Sequence, residues 1–113
     1  MVSEFGHLRE SRCPAYDLAH VRAALENGRF RVTQRVLEHM WSRGHDSADL
    51  LACMASMRPA SYYKSQEARD GSGAWLDIYR PYWGGERWYI KFVAYADGSG
   101  YRVLSFCLDG EQH

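Results

Sequence analysis

Residues 86–108 read ERWYIKFVAYADGSGYRVLSFCL, two runs of alternating side chains around a glycine-containing segment. Successive side chains of a β-strand point to opposite faces, so this alternation predicts strands over 87–96 and 101–108. The segment 96–100 joins them as a turn, because glycine tolerates the positive φ that hairpin turns need. These residues therefore predict an antiparallel hairpin, from which the rest of the fold can be built outward.

The period of two continues upstream of this hairpin. Candidate strands are 61–68 and 74–81, with a polar loop at 69–73 between them. A second glycine turn, at 83–86, links the strand 74–81 to the hairpin. The last three of these strands follow one another through short turns, so we expect them to form an antiparallel meander.

Before Pro59 the period changes to that of a helix. Apolar residues spaced three or four apart predict helices over about 16–27, 33–43 and 46–57. Each helix has a polar side chain that can cap its first turn, namely Asp17, Thr33 and Asp46. Pro59 prevents the third helix from continuing, because proline lacks the backbone N–H and clashes with the preceding turn.

Helices followed by strands predict an α+β fold. We expect three N-terminal helices packed on one face of a mainly antiparallel sheet of about four strands. At this length the whole chain, 1–113, is expected to be a single domain. Residues 1–13 are predicted to be a loose N-terminal arm, 109–113 a tail, and 30–32 a short extended piece between helices.

The composition is that of a folded domain. Aromatic residues make up 14% of the chain, including four Trp and eight Tyr, which argues against wholesale disorder. The formal net charge is zero, so strong non-specific attraction to nucleic acid is not expected. Arginine supplies almost all of the basic residues, and the two lysines, Lys64 and Lys91, stand out against it.

Cysteine usage and the N-terminus bear on the compartment. Three cysteines, Cys13, Cys53 and Cys107, have unrelated spacings, and no Cys/His cluster has metal-ligand spacing. We therefore expect free thiols, no metal site and no other cofactor. Residues 1–12 contain no apolar run, so neither a signal peptide nor a membrane segment is expected. Together these features indicate a cytoplasmic protein.

The two faces of the predicted sheet are expected to differ. The apolar sets expected against the helices are Trp88, Ile90 and Phe92 in the third strand, and Leu104, Phe106 and Leu108 in the fourth. The opposite face would then carry Tyr89, Lys91, Val103, Ser105 and Cys107, joined by Lys64 or Tyr63 from the first strand. In 74–81 the period alone does not decide which set is buried.

A surface of lysine and tyrosine suits an anionic ligand that contains bases. Lysine supplies positive charge for phosphate, and aromatic rings can stack on bases. The alternative is an ordinary solvated sheet face, on which such residues are common.

Four ordered segments resemble the MqsR family of toxins, whose motifs are F-Y-K-S, W-x-D-V-Y-R-P, V-Y-L-K and V-S-F. The matching segments here are YYKS (62–65), WLDIYRP (75–81), WYIK (88–91) and LSF (104–106). Residues 27–33 are similar to a further family segment, N-A-G-x-V-R-T-T. The resemblance covers about 17–108 and, as an ordered set at fixed separation, is fairly specific.

This resemblance implies a RelE-like fold and a ribosome-independent mRNA endonuclease that arrests growth. It also implies mRNA as the substrate, with a preference for GC-containing sites such as GCU. A cognate antitoxin protein, commonly zinc-binding and DNA-binding, is the implied partner.

The resemblance also assigns roles to individual residues. It implies catalytic roles for Lys64, Arg80 and Tyr89. The substrate-binding candidates are Tyr63, Gln66 and Lys91. Two positions depart from the family pattern: Leu76 stands where the family has a catalytic glutamine, and Cys107 where it has a catalytic lysine.

The expected chemistry is attack by the RNA 2′-hydroxyl on the neighbouring phosphorus, which needs a base, an acid and charge stabilisation. No histidine lies in a predicted strand, so proton transfer would fall to lysine or tyrosine. Lys64 would transfer a proton or stabilise the phosphorane. Arg80 would bind the phosphate bidentately, through two N–H groups of its guanidinium. Tyr89 would transfer a proton or stack on a base, and Tyr63 would position the nucleotide.

Three other functions stay open from the sequence. The first is a non-catalytic RNA-binding or ribosome-binding module, which the residues at 76 and 107 favour. The second is a cysteine-based enzyme using Cys107 or Cys53. The third is a structural or protein-binding role, in which the arginine cluster at 29–43 contacts an antitoxin or RNA, or is only solvated. For single residues, Tyr89 could simply pack, and Arg80 could pair with Asp77 or Glu86.

Overall fold

The computed structural model describes residues 9–111 of the chain, and this part contains three helices and seven strands. The helices are α1 (Leu18–Glu26), α2 (Gln34–Ser42) and α3 (Ser47–Ala55). The strands are β1 (Glu10–Ser11), β2 (Phe30–Val32), β3 (Tyr62–Glu67), β4 (Trp75–Tyr79), β5 (Tyr82–Trp83), β6 (Glu86–Ala94) and β7 (Tyr101–Leu108). A short 3₁₀ turn, Pro59–Ser61, precedes β3.

Six strands form one sheet in the order β1-β3-β4-β6-β7-β2, and β5 pairs with β6 outside this path. The predicted meander, β4-β6-β7, is confirmed as antiparallel. The strand β3 also pairs antiparallel with β4, whereas β2 runs parallel to β7. The expected count of about four strands was wrong. The three additional strands, β1, β2 and β5, have two or three residues each, too few to display a period. Part of the predicted N-terminal arm, Glu10–Ser11, pairs with β3, and residues 1–8 lie outside the described residues.

Each helix begins at the capping residue that the sequence predicts. The Asp17 carboxylate accepts from the backbone N–H of Ala19, and the Thr33 hydroxyl accepts from that of Val36. Asp46 forms a capping box with Asp49, in which each side chain accepts from the other residue's backbone N–H. These bonds satisfy backbone donors that would otherwise lack partners.

The core lies between the helices and one face of the sheet. The predicted inward set of β6 is confirmed, because Trp88, Ile90 and Phe92 are all buried there. Its fully buried partners from the helices include Met40 and Leu50. Within residues 9–111, no helix is long and apolar enough to cross a membrane.

A bulge in β7 changes which side chains face the core. Lys91 pairs with Ser105, but the next residue of β6, Phe92, pairs with Val103, so Leu104 is an extra residue. An extra residue reverses the alternation on one side of it. Val103 is therefore fully buried against the helices, and Leu104 turns to the opposite face. The predicted sides of these two residues were wrong for this reason, whereas Phe106 is in the core as expected.

A second irregularity, in β3, brings two candidate residues to one face. Tyr62 pairs with Tyr79 and Lys64 with Ile78, so Tyr63 is left over between them. Tyr62 packs against the core, while Tyr63 packs against Ile78 on the opposite face. The sequence left a choice between Tyr63 and Lys64 on that face, and the bulge places both of them there.

Asp77 of β4 faces the core rather than solvent and is fully buried. Its carboxylate accepts hydrogen bonds from the backbone N–H groups of Ala15 and Tyr16, at 2.9 and 3.0 Å. It also accepts from the Ser65 hydroxyl at 2.5 Å. Asp77 thus ties the segment before α1 to the centre of the sheet.

Candidate functional site

All six residues that the sequence singles out lie on the open face, defined as the sheet surface opposite the helices. The order of strands and their register place Lys64 and Gln66 of β3 there, beside Ile78 and Leu76 of β4. The remaining side chains of the open face are Tyr63, Arg80, Tyr89, Lys91, Val93, Arg102, Leu104, Ser105 and Cys107. The predicted site residues are therefore brought together on one surface.

One row across the open face contains both lysines. Lys64 pairs with Ile78, Ile78 pairs with Lys91, and Lys91 pairs with Ser105. Neighbouring strands are about 4.8 Å apart, so the backbones of the two lysines are separated by about 10 Å. Ile78 is fully buried between them. Two long cationic side chains on this spacing can reach a common phosphate.

Three cations surround the ring of Tyr63. The Arg80 guanidinium carbon lies 3.8 Å from the ring centroid, and the Lys64 Nζ lies 5.1 Å from it. The Arg12 guanidinium lies 5.8 Å from the centroid and donates to the Tyr63 carbonyl at 3.1 Å. These distances are those of cation–π contacts. Tyr63 therefore acts as a platform that holds Lys64 and Arg80 on the same side of the sheet.

Arg80 has an acidic partner that the sequence did not indicate. Its Nη1 lies 3.6 Å from the Asp109 Oδ2, in the turn after β7. Pairing with Asp77 was expected as one alternative, but that carboxylate is fully buried on the other face of the sheet. The 3.6 Å separation exceeds a normal hydrogen-bond distance, so an incoming phosphate could compete for this guanidinium.

Lys64 is held by Glu10 of β1. Its Nζ donates to the Glu10 Oε2 at 2.7 Å, and the Gln66 side-chain amide donates to the same oxygen at 3.4 Å. The hydrogen bond from Lys64, followed by that from Gln66, lowers the pKa of the Glu10 carboxyl. Sequence reasoning missed Glu10, which lies in the segment predicted to be a loose arm.

Tyr89 and Cys107 are cross-strand partners packed with Ile78 and Tyr63. Burial is the main reason why the pKa of Tyr89 is raised, and the neighbouring Cys107 and Tyr63 raise it further. The Tyr89 side chain does pack, as one alternative proposed, and is 6% exposed. Its hydroxyl therefore stays protonated around neutral pH.

The environments of the two buried thiols argue against a cysteine-based enzyme. Burial raises the pKa of Cys107 to about 11 and that of Cys53, in α3, to about 12. A thiolate is the reactive form, so both groups are poor nucleophiles near neutral pH.

Lys91 differs from Lys64 in its surroundings. Burial lowers its pKa, and the positive charges of Arg69, Lys64 and Arg35 lower it further. In the described part of the chain, its ammonium makes neither an ion pair nor a side-chain hydrogen bond. Lys91 therefore gives up its proton more readily than a solvated lysine does.

The arginine cluster at 29–43 divides between two surfaces. Arg31 pairs in register with Arg102 at the edge of the sheet, and Arg35 is close enough to lower the pKa of Lys91. Arg43 instead forms an ion pair of 2.7 Å with Glu111. Part of the cluster thus extends the positive charge of the open face.

Residues 9–111 contain no group of three or more His, Cys, Asp or Glu side chains placed to hold a metal ion. The chemistry available on the open face comes from lysine, arginine and tyrosine.

Residues 13–107 match a family model described as motility quorum-sensing regulator, toxin of MqsA. The match includes all three helices and all six candidate residues of the open face. A comparison with curated proteins finds no match. The class that the fold and the family match define is that of α+β protein toxins. The chain belongs to the MqsR toxin family. Glu10, the partner of Lys64, lies outside the matched residues.

Proposed function

We propose that the protein is a metal-independent, sequence-selective endoribonuclease that cleaves messenger RNA and thereby arrests growth, as the toxin of a toxin–antitoxin system. The observation that carries this proposal is the arrangement of Lys64, Arg80 and Tyr89 around Tyr63 on one open sheet face. These are side chains that can bind phosphate, stack on bases and exchange protons.

The proposed reaction uses the RNA's own nucleophile. The 2′-oxygen bonds to the adjacent phosphorus, and the bond from phosphorus to the 5′-oxygen breaks. The products are a 2′,3′-cyclic phosphate and a 5′-hydroxyl. One proton leaves the 2′-hydroxyl and one is delivered to the 5′-oxygen, so no water, metal or redox partner is consumed.

Lys64 and Arg80 are assigned to charge stabilisation. Both are held at Tyr63, and negative charge builds on the non-bridging oxygens as the phosphorane forms. Fixed cations aimed at developing charge lower the barrier without reorganising. Arg80 can bind two phosphate oxygens at once, because its guanidinium is planar and presents parallel N–H groups.

Tyr89 is assigned to the acid step. Its raised pKa keeps the proton on the hydroxyl near neutral pH, as a donor to the leaving 5′-oxygen requires. This environment favours proton donation over the base-stacking role that the sequence also allowed, because a 6% exposed ring offers little face to a base.

Lys91 is assigned to the base step, in addition to substrate binding. Its lowered pKa means that a larger share of Lys91 than of a solvated lysine is the neutral amine at the same pH. Lys91 and Tyr89 are two residues apart on β6 and point to the same face, about 7 Å from each other along the strand. A phosphodiester between them would have a proton acceptor on one side and a proton donor on the other.

This scheme does not require the two family positions that differ here. Leu76 cannot donate or accept a hydrogen bond, and Cys107 is a buried neutral thiol beside Tyr89. Gln66 and Tyr63 remain as contacts for the nucleotide.

A second candidate function is a non-catalytic RNA-binding or ribosome-binding module. Two observations favour it. Leu76 and Cys107 supply no catalytic group, and the Lys64 ammonium is already paired with the Glu10 carboxylate at 2.7 Å. The two functions differ in a single readout, because the module would bind RNA without cutting it.

Purified protein incubated with RNA, and primer extension on transcripts after induced expression, test the proposal. We expect new 5′ ends at a short shared motif, lost in Lys64→Ala and Tyr89→Phe. Arg43→Ala is the matched control for Lys64→Ala, because it breaks an ion pair of the same length, 2.7 Å to Glu111, on a surface away from the open face. Tyr82→Phe, at an exposed tyrosine, controls for loss of a hydroxyl. Binding without cleavage by the wild-type protein would establish the module instead.

We also propose a cognate antitoxin as the protein partner, of the zinc-binding and DNA-binding type that the family resemblance implies. The family is described as the toxin of MqsA. An enzyme acting on messenger RNA would work in the cytoplasm. Co-expression with the adjacent reading frame tests the partner: growth should be restored, and the two proteins should copurify.

A further inference from the structure

A groove of about 640 Å³ lies at the end of the open face farther from Tyr63. It runs between the loop 69–73 and the start of the β6–β7 turn, and its wall reaches Gln66 and Lys91. Ligand-binding clefts in proteins commonly measure about 300–1,000 Å³. The groove is therefore large enough for a nucleotide and adjoins the candidate catalytic residues.

The floor of the groove is apolar. Leu76, Val93 and Leu104 line it side by side from three neighbouring strands. Leu104 is there only because the bulge in β7 turns it to the open face. A nucleotide base can pack its flat face against such an apolar floor, and its edge then stays accessible to hydrogen bonds.

The walls of the groove are cationic. Arg69 comes from the loop after β3, Arg102 from β7 and Lys91 from β6. Arg69 lies close enough to Lys91 to lower its pKa, so the positive charges are concentrated. Among the interactions of residues 9–111, none of these three side chains donates a hydrogen bond or forms a close ion pair.

The acidic residues of the groove are engaged elsewhere. Glu67 is bound by Arg9 at 2.7 Å. Asp70 accepts from the backbone N–H of Ser72 at 2.9 Å. The charge of Arg102 is the smallest of the effects that lower the pKa of Asp70. The cations therefore remain available to an anionic ligand.

We propose that this groove binds the nucleotide next to the scissile phosphate of single-stranded RNA. Its base lies on the floor of Leu76, Val93 and Leu104, and Arg69 and Arg102 hold the phosphate that follows. The inference rests on the proposed function, because Lys91 belongs both to the groove and to the reaction. It names Leu76 and Leu104 as residues that determine which base is accepted beside the cut.

The binding test uses fluorescent 2′-O-methyl RNA 12-mers of uniform and mixed sequence, which lack the attacking hydroxyl and are not cleaved. Arg102→Ala should weaken binding about three- to tenfold and reduce the slope of log K against log salt by about one. Arg58→Ala is the matched control. It removes an exposed arginine beside Arg22 and Ala55 of the helical layer and should leave both quantities unchanged.

The cleavage test uses Leu104→Ser, at a half-buried residue whose loss leaves the helical core intact. Primer extension should show a changed distribution of cut sites with the same chemistry. The wild-type protein could cleave while Leu104→Ser leaves the cut sites unchanged and Arg102→Ala leaves the RNA affinity unchanged. That result would refute the groove as a nucleotide site but would not contradict the nuclease proposal. If the wild-type protein does not cleave, loss of 12-mer binding in Arg102→Ala still supports the groove, while the nuclease proposal fails. Loss of antitoxin binding in Arg102→Ala, with RNA affinity intact, would reassign the groove to a protein partner.

Discussion

Replacing the buried carboxylate of Asp77 tests the architecture on which the site depends. Asp77→Ala removes the acceptor for three donors: the backbone N–H groups of Ala15 and Tyr16, and the Ser65 hydroxyl. Ser65 is 1% exposed, so water cannot replace the carboxylate, and the hydroxyl is left with the longer contact to the Cys13 carbonyl at 3.2 Å. The two backbone donors lie nearer the surface and can recover water in part.

The magnitude follows from these three bonds. A hydrogen bond to a charged group contributes about 1.5–3 kcal/mol, and we assign that range to the Ser65 hydroxyl. The two partly hydrated N–H groups contribute about 0.5–1 kcal/mol each. The free energy of unfolding should therefore fall by about 2.5–5 kcal/mol, a large part of the ~5–15 kcal/mol typical of a domain. The corresponding fall in Tm is about 10–20 °C.

Urea unfolding followed by tryptophan fluorescence measures this loss. Asp77→Asn should lose less, because it keeps one acceptor oxygen but turns an amide N–H₂ toward a backbone donor. The matched control is Asp97→Ala, at an exposed turn carboxylate that accepts from the backbone N–H of Ser99 at 2.9 Å. If Asp77→Ala were no more destabilising than this control, the argument that Asp77 anchors the segment before α1 would be refuted.

Three further predictions concern the open face. Glu10→Gln removes the carboxylate that lies 2.7 Å from the Lys64 ammonium, which leaves more of that positive charge for the RNA phosphate. The KM for RNA should therefore fall about two- to fivefold, and a higher KM would show instead that Glu10 aids binding. The value of kcat/KM should rise with pH, because Lys91 loses its proton at its lowered pKa and becomes a base. Lys91→Arg cannot deprotonate, so it should abolish that rise and reduce kcat by about 10²–10⁴-fold. A rise that persists in this variant would exclude Lys91 as the base. Iodoacetamide at pH 7.5 should label exposed Cys13 far faster than Cys107, which is buried and has a pKa of about 11, and RNA cleavage should be retained. Mass spectrometry measures the labelling and an RNA cleavage assay measures the activity. Rapid labelling of Cys107 would contradict its buried position.

The state of Lys91 also has a consequence for stability. Its pKa is lower in the folded chain than its ordinary value of 10.5, so the unfolded chain binds more protons between those two values. Its contribution to the free energy of unfolding therefore rises with pH across that window. Lys91→Met should be the more stable protein at neutral pH and should lose this dependence, which thermal melts at several pH values would show.

The strands were predictable where their pattern is regular. Trp88, Ile90 and Phe92 alternate with polar or smaller side chains, and their burial followed from the period. Val103 and Leu104 are adjacent and both apolar, so the period cannot locate an extra residue between them. A bulge depends on the pairing of two strands rather than on one strand's composition, and for that reason its effect was not predicted.

The site was predictable only in part. The resemblance supplied Lys64, Arg80 and Tyr89, and the register of the sheet brings them together. Glu10 gave no signal, because a two-residue strand has no period. Asp77 is a polar residue whose burial depends on donors more than sixty positions away in the chain. Such partners are set by the tertiary fold and leave no local trace in the sequence.

The short strands β1 and β2 close the two sides of the described sheet. Each covers the outermost long strand, β3 or β7, whose backbone N–H and C=O groups would otherwise face solvent in a continuous row. Such a row is a template on which another extended chain can add itself. A very short edge strand presents few backbone groups for pairing, so we expect a chain deprived of β1 to pair with its own copies more readily than the intact chain.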